Sequence, residues 1–430
     1  MAFLLKNAHV VDPVAGLDGV MDVALEGEKI TAVGEGLEAP ADAEVVDLTG
    51  KYLVPGLVDM HVHLRDPGQE YKEDIESGTR AAAKGGFTGV CSMPNTDPCT
   101  DNGIVVQYIK TRAAEVGHCR VYPSGACTRG LKGEALAEMG DMVARGAVAF
   151  TDDGRGIQDA GMMRRVMDYG IMFGKVFMSH CQDAGLVGEG QVNEGVVSTR
   201  LGMLGWPAEG EELQIQRDIA LARLTGAKLH IQHITTKRGL DMVRAAKAEG
   251  LPVTCEVTPH HLFLTEDDID ATYPTALKVN PPLRTAEDAA ALLEGVIDGS
   301  VDAIVTDHAP HAEWEKAREF AFAPFGMTGI ETSLGLVLTN LVETGKISVA
   351  RMVELMSVAP RRILGVEAAS ITAGATADIT VFDPAQEWDV TEDGFESKAK
   401  NSGFIGAHLT GRATDVFVGG EPTLRNGAIC

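Results

Sequence analysis

No run in the 430-residue chain approaches the roughly 18 uninterrupted apolar residues that a membrane-spanning helix needs, so no membrane anchor is expected. The first residues, Met1 to Asn7, lack a basic stretch followed by a long apolar one, and no signal peptide is expected. Cysteine is sparse: the count of seven is odd and contains no Cys-x-x-Cys pair, which reads as reduced thiols in a cytoplasmic protein. Basic residues are also short, 37 against 62 acidic ones, and the net charge of −25 argues against nucleic acid or anionic lipid as partners. An anionic small ligand would have to be held by local positive charge. There is no internal repeat, low-complexity tract or flexible linker. What remains is ordinary for a globular protein, 45% hydrophobic and 23% charged, and long enough for a large core plus a smaller domain.

Both ends of the chain read as short strands. Phe3-Leu4-Leu5, His9-Val10-Val11, Asp22 to Leu25, Lys29 to Val33 and Glu44 to Asp47 alternate with Gly, Pro and Asp turns. The last sixty residues repeat that character at Ala377 to Asp383 and Thr414 to Gly420. Neither end holds enough apolar surface to fold alone, so residues 1–54 and 367–430 are expected to pair into one small β-sandwich-like domain. Between them, in 55–366, Val/Ile/Gly-rich runs alternate with helical stretches such as Gln214 to Thr225 and Gly239 to Gly250. The expected strands are 56–63, 86–93, 120–126, 147–151, 172–179, 228–233, 252–257 and 301–306. Eight such alternations predict an α/β fold, a (β/α)8 TIM barrel, better than an open sheet.

In such a barrel the chemistry sits at the C-terminal ends of the strands. Those positions carry His61-Val62-His63-Leu64-Arg65, Thr151-Asp152-Asp153-Gly154, Ser179-His180, His230-Ile231-Gln232-His233 and Thr306-Asp307-His308-Ala309-Pro310-His311. Residues i and i+2 of a strand face the same side, so His61 and His63 can chelate one divalent ion. His180, His233 and Asp307 add further ligands, and a carboxylate at Asp152 or Asp153 would bridge a second ion. Alternation lets only one of those two face inward, and spacing does not choose between them. Each carboxylate taken singly also fits a cap or turn.

These runs, with Pro55-Gly56-Leu57-Val58-Asp59 before them and Met93-Pro94-Asn95-Thr96 after, resemble the amidohydrolase superfamily. Asn280-Pro281-Pro282-Leu283-Arg284 and Ala323-Pro324-Phe325-Gly326 narrow the resemblance to the class I dihydroorotases, over nearly the whole chain. The resemblance implies reversible cyclisation of N-carbamoyl-L-aspartate to L-dihydroorotate in pyrimidine biosynthesis. It implies two Zn²⁺ per subunit, His61 and His63 on one, His180 and His233 on the other, with Asp307 at the eighth strand and Asp153, not Asp152, as the bridge. Catalysis would run through a metal-bound hydroxide with Asp307 as general acid and base. Cobalt or manganese would suit the same donors. An aspartate bridge weaker than the carboxylated lysine of many relatives would leave the second ion labile. Gln182 stands where relatives often carry Glu, and a local change of hydrogen bonding is expected there.

Arg65 is expected to fork onto the substrate carboxylate, since guanidinium binds carboxylate in a bidentate way. Asn95 and, by the resemblance, His311 would complete the clamp. Asn280 would read the polar edge of the ring, and backbone groups of Phe325 and Gly326 would help. The plain alternative for Asn95 and Asn280 is turn chemistry beside Pro94 and Pro281. His260-His261 is expected to be structural, residues 311–326 to form a lid, and Cys91, Cys119, Cys127 and Cys255 to fill the core. Two other functions compete. A hydantoinase or allantoinase predicts a bridging lysine and no Arg65–Asn95–His311 clamp, and an inactive structural subunit predicts lost ligands, whereas all six ligands stand here. Some members of the group associate with aspartate transcarbamoylase. That association and a homodimer are the assemblies expected from the resemblance.

Overall fold

The computed structural model describes residues 1–39 and 42–430. Eight parallel strands follow one another around the centre in chain order: Leu57–Val62, Phe87–Ser92, Arg120–Gly125, Ala149–Phe150, Val176–Ser179, Leu229–Ile231, Val253–Val257 and Ala303–Ile304. They are short and apolar because both faces are covered, by the packed interior on one side and by helices on the other. The last and first strands meet through side chains as much as through backbone. Asp59 accepts the Thr306 N–H at 3.1 Å and its hydroxyl at 2.5 Å, and the His63 N–H reaches His308 O at 2.9 Å. Burial lifts the Asp59 carboxyl to about 7, against the pull of these donors.

The expected strand start at Met172 is too early. Ile171–Phe173 is a single 3-10 turn, stopped by Gly174 at φ 64°, and the strand begins at Val176. An apolar triplet reads alike as strand or turn; the left-handed glycine decides it.

Both chain ends enter one nine-stranded mixed sheet. Its order is Ala428–Ile429, Glu421–Arg425, His408–Val418, Ile379–Asp389, Tyr52–Pro55, Ala2–Asp12, Leu17–Glu26 and Lys29–Gly34, with Glu44–Asp47 beside Ala2–Asp12. The two short segments expected at the N-terminus are one strand with a register shift between Leu5 and Ala8, where Asn7 takes φ 59°. Strand alternation divides the sheet's side chains: Ile379 and Val381 join Phe3, Leu5, Val10 and Phe417 in a separate small core, while Phe382 joins the barrel core. Arg120 donates to Asp378 at 2.7 and 2.9 Å and ties barrel to sheet. Among the described residues no helix is long and apolar enough to cross a membrane. Cys91, Cys119, Cys127 and Cys255 are buried.

Candidate metal centre and substrate cavity

The strand ends converge their polar residues into one buried cluster. His61 lies near the C-terminal end of the first strand and is fully buried, and its Nδ1 lies 2.6 Å from Glu256 Oε1 on the seventh strand. Glu256 in turn holds His230 Nε2 at 3.0 Å, and His230 Nδ1 reaches Thr254 Oγ1 at 2.7 Å. Glu256 is thereby held ionised: burial pushes its carboxyl up, but His61 and His230 bring it down to about 2. With Nδ1–H donated to Glu256, the lone pair of His61 Nε2 points to the cluster centre, 3.3 Å from Asp153 Oδ1 and 3.5 Å from Asp307 Oδ1. His63 is turned the same way: Nδ1 meets Asn95 Oδ1 at 2.9 Å, and Nε2 faces Asp307 Oδ1 at 2.9 Å. His180 is turned oppositely. Gln182 Oε1 takes its Nε2–H at 2.8 Å, which leaves Nδ1 facing Asp153 at 3.5 Å and His233 Nε2 at 2.9 Å.

The choice left open between Asp152 and Asp153 is made by geometry. Asp152 turns away and accepts the N–H groups of Cys127 at 2.8 Å and Thr128 at 3.0 Å, along with the Thr128 hydroxyl. Asp153 lies against four imidazoles, 3.3 to 3.8 Å from His61, His63, His180 and His233. Burial opposes its charge, but the imidazoles of His61, His180 and His233 crowded against it hold the carboxyl well below the usual range. Asp307 is lowered likewise, by His61 and His63 against burial.

This donor set fits divalent cations. His61 Nε2 and Asp153 Oδ1, both turned to the cluster, are buried and make no hydrogen bond, a costly state for polar atoms in a protein interior. Two sets of ligand atoms lie within 4.8 Å of one another, His61–His63–Asp307 and His61–Asp153–His233, with His61 common to both. The backbone is unusual here too. Arg65, His233 and Asp307 have φ of 61°, 28° and 46°, a region non-glycine residues avoid unless their surroundings hold them there.

Above the cluster lies a cavity of about 230 Å³, the size of one small molecule. It is lined by His63, Arg65, Asn95, Asp153, His180, His233, Asn280, Asp307, His311, Phe325 and Gly326, so every residue expected at the site except His61 borders it. His61 lies beneath. Arg65 is buried, gives its Nε–H to Pro310 O at 3.2 Å and leaves the rest of its guanidinium for the cavity. Asn95 Nδ2 is free to face inward because Oδ1 is taken by His63. Asn280 Nδ2 meets Gln182 Oε1 at 3.2 Å, and its Oδ1 is unpaired. Gln182 therefore ties a cluster imidazole to the cavity wall. His311 Nε2 donates to Phe325 O at 2.7 Å, and burial beside Arg65 pushes its imidazole down to about 2, so the ring is neutral. Gly326 has φ 129°, and a Cβ there would come within 2.7 Å of Ala309 Cβ.

Residues 311–326 are wired down: Lys278 Nζ donates to Phe320 O at 2.7 Å, and Lys316 Nζ to Pro324 O at 2.8 Å. His261 has the structural partners expected, Thr258 Oγ1 at 2.8 Å and Pro281 O at 3.0 Å. His260 differs: its Nε2 is buried without a partner, and burial lowers it to about 4. Sequence reasoning missed Glu256 and His230 as the supports of His61. The signal was an acidic residue inside the buried strand run Val253–Val257.

A family model described as Dihydro-orotase-like matches residues 50–239. The dihydroorotase of Pelotomaculum thermopropionicum is 49% identical over 429 residues, covering 100% of both chains. That of Trichlorobacter lovleyi is 48% identical over 421 residues, 98% of this chain and 99% of the relative. Among solved structures, the L-hydantoinase (dihydropyrimidinase) of Arthrobacter aurescens superposes with a TM-score of 0.89 at 26% identity, covering 100% of this chain and 97% of that one. The D-hydantoinase of a Thermus species gives 0.84 at 26% identity, over 100% and 96%. With near-half identity along its full length and a buried His/Asp cluster at the mouth of its barrel, the chain belongs to the dihydroorotase family.

Proposed function

We propose that the chain interconverts N-carbamoyl-L-aspartate and L-dihydroorotate, with Asp307 moving the proton and Arg65, Asn95 and His311 holding the substrate's spectator carboxylate. The observation that carries this reading is a juxtaposition: a cation-binding cluster and a buried guanidinium border one small cavity. His61, His63, His180, His233, Asp153 and Asp307 would hold two zinc ions, whose Lewis acidity polarises the scissile carbonyl and acidifies water. Imidazole and carboxylate donors suit zinc.

Asp307 is ionised at rest, so it can accept a proton from attacking water in hydrolysis and hand it to the departing ring nitrogen. In the biosynthetic direction it takes the ureido N–H proton as nitrogen closes on the carboxyl carbon, and gives it to the departing carboxyl oxygen, which leaves as water with a second proton from solvent. Arg65 is desolvated and rigidly placed, which favours a bidentate grip on carboxylate. The Asn95 amide adds a donor without adding charge, and the neutral His311 would give its one N–H to the carboxylate by exchanging it from Phe325 O. Phe325 O holds His311, and Gly326 leaves room for ring and clamp. The lysine expected at the bridging position of a hydantoinase is absent; Asp153 stands there.

The test is the ratio of kcat/KM for L-dihydroorotate to that for hydantoin. A large preference for dihydroorotate supports the reading, and equal or better turnover of hydantoin would overturn it. Metal stoichiometry after mild chelation is expected to fall from two to one, because an aspartate bridge holds the second ion less firmly. The assemblies expected from the resemblance, a homodimer and a complex with aspartate transcarbamoylase, are separated by light scattering of the chain alone and mixed with that enzyme.

A further inference from the structure

Between the end-sheet strands Ile379–Asp389 and His408–Val418 the chain leaves the sheet and runs to the barrel mouth. This excursion, residues 390–407, is fastened there by Glu331, which accepts the N–H groups of Glu396 and Ser397 at 2.9 and 3.1 Å. Lys398 also bonds Glu70 O at 2.8 Å. The excursion also carries Asn401, which is buried.

Asn401 Oδ1 accepts the His311 N–H at 3.1 Å, while Nδ2 donates to Ala309 O at 3.3 Å and Gly326 O at 3.1 Å. The backbone of Asn401 joins in, its carbonyl accepting the Thr328 N–H at 3.1 Å. One amide thus bridges the stretch that carries His311 and the stretch that carries Gly326. Arg65 grips the same strip from the other side, at Pro310 O. The Gly326 peptide is held at both ends, its N–H by Lys278 O at 2.8 Å and its carbonyl by Asn401.

We infer that Asn401 is a positioning residue for the carboxylate clamp: it sets the place of His311 relative to Arg65 and Gly326 without touching substrate. This inference rests on the clamp reading given above. The required orientation is polar and unique, one acceptor toward an N–H and one NH₂ toward two carbonyls. Aspartate has the same shape and would set a carboxylate oxygen against Ala309 O and Gly326 O. Alanine would remove the bridge without adding repulsion.

The test measures kcat and KM for L-dihydroorotate hydrolysis in the full-length protein and in Asn401→Asp, Asn401→Ala and Arg65→Ala, with metal content and thermal midpoint on the same samples. Asn401→Asp is expected to raise KM at least tenfold while kcat stays within threefold and metal content is unchanged. Asn401→Ala is expected to raise KM less, and it keeps the test alive should the aspartate variant not fold. KM within twofold of the parent in the folded variants overturns the inference. So does a loss of kcat and metal with KM unchanged, the mark of a merely structural residue. If Arg65→Ala leaves KM unchanged, the clamp reading itself fails and the inference falls with it. If Arg65→Ala raises KM and the Asn401 variants do not, the inference alone is overturned.

Discussion

The barrel mouth and the seam between barrel and end sheet both bury charge, but they finish it differently. At the seam, Asp378 takes two hydrogen bonds from Arg120 and a third from the Gly419 N–H at 2.7 Å. Arg361 likewise spends its guanidinium on Ser357 Oγ at 2.9 Å, Thr88 Oγ1 at 3.1 Å and Gly56 O. At the mouth, imidazoles and carboxylates crowd together with His61 Nε2 and Asp153 Oδ1 unpaired. A fully paired buried charge holds elements in place, whereas a convergent unpaired set is a binding site whose partner is something other than protein.

Breaking the mouth should cost activity, and breaking the seam should cost stability. The largest effect is expected for Asp307→Asn, which removes the proton acceptor: kcat for dihydroorotate hydrolysis should fall by about 10² to 10⁴. Steady-state kinetics check it, and retention of half the activity would remove Asp307 from the proton path.

The sharpest contrast is between neighbours. Asp152→Ala orphans two buried N–H groups and should cost about 3 kcal/mol in urea denaturation while metal content holds. Asp153→Ala should lose at least one metal equivalent per chain with a much smaller change in folding. Equal metal loss in both variants would erase the distinction.

Glu331 lies where the 390–407 excursion meets the barrel, and burial lifts its carboxyl to about 7 from an ordinary 4.5. Between those values the folded state binds the proton more tightly than the unfolded chain, so this group's contribution is present below about pH 4.5 and is lost as pH rises to about 7. Glu331→Gln removes that dependence. Relative to the parent it should gain about 2 to 3 kcal/mol between pH 5 and pH 8, read from denaturation midpoints at the two values. The smallest effect belongs to the partly exposed seam pair. Asp378→Ala should cost about 1 kcal/mol and leave kcat unchanged.

Much of this is legible in the amino-acid sequence. Short Val/Ile/Gly-rich runs alternating with helical stretches mark eight barrel strands, short strand runs between Gly, Pro and Asp turns mark the β character of both ends, and the strand-end positions carry the histidines and Asp307 of the cluster. What sequence could not carry was contact over long separations. Glu256 lies 195 residues from the His61 it orients, and Asn401 lies 90 residues from His311. Both are ordinary polar residues until the barrel closes or the excursion folds back. Asp152 and Asp153 are indistinguishable by spacing because both lie past the strand end at Phe150, where alternation no longer holds, and Asp152 is turned away by the N–H groups of Cys127 and Thr128. The false strand start at Met172 came from an apolar triplet whose conformation is decided by the next residue.

The most direct test of the cluster at the mouth is a zinc titration of chelator-stripped protein, following bound metal and dihydroorotate hydrolysis on the same sample. Activity should be lost on stripping and return as zinc binds, reaching its plateau at two equivalents per chain. Full turnover by protein shown to be metal-free, or zinc binding at the same stoichiometry by a chain lacking His61 and His233, would contradict it.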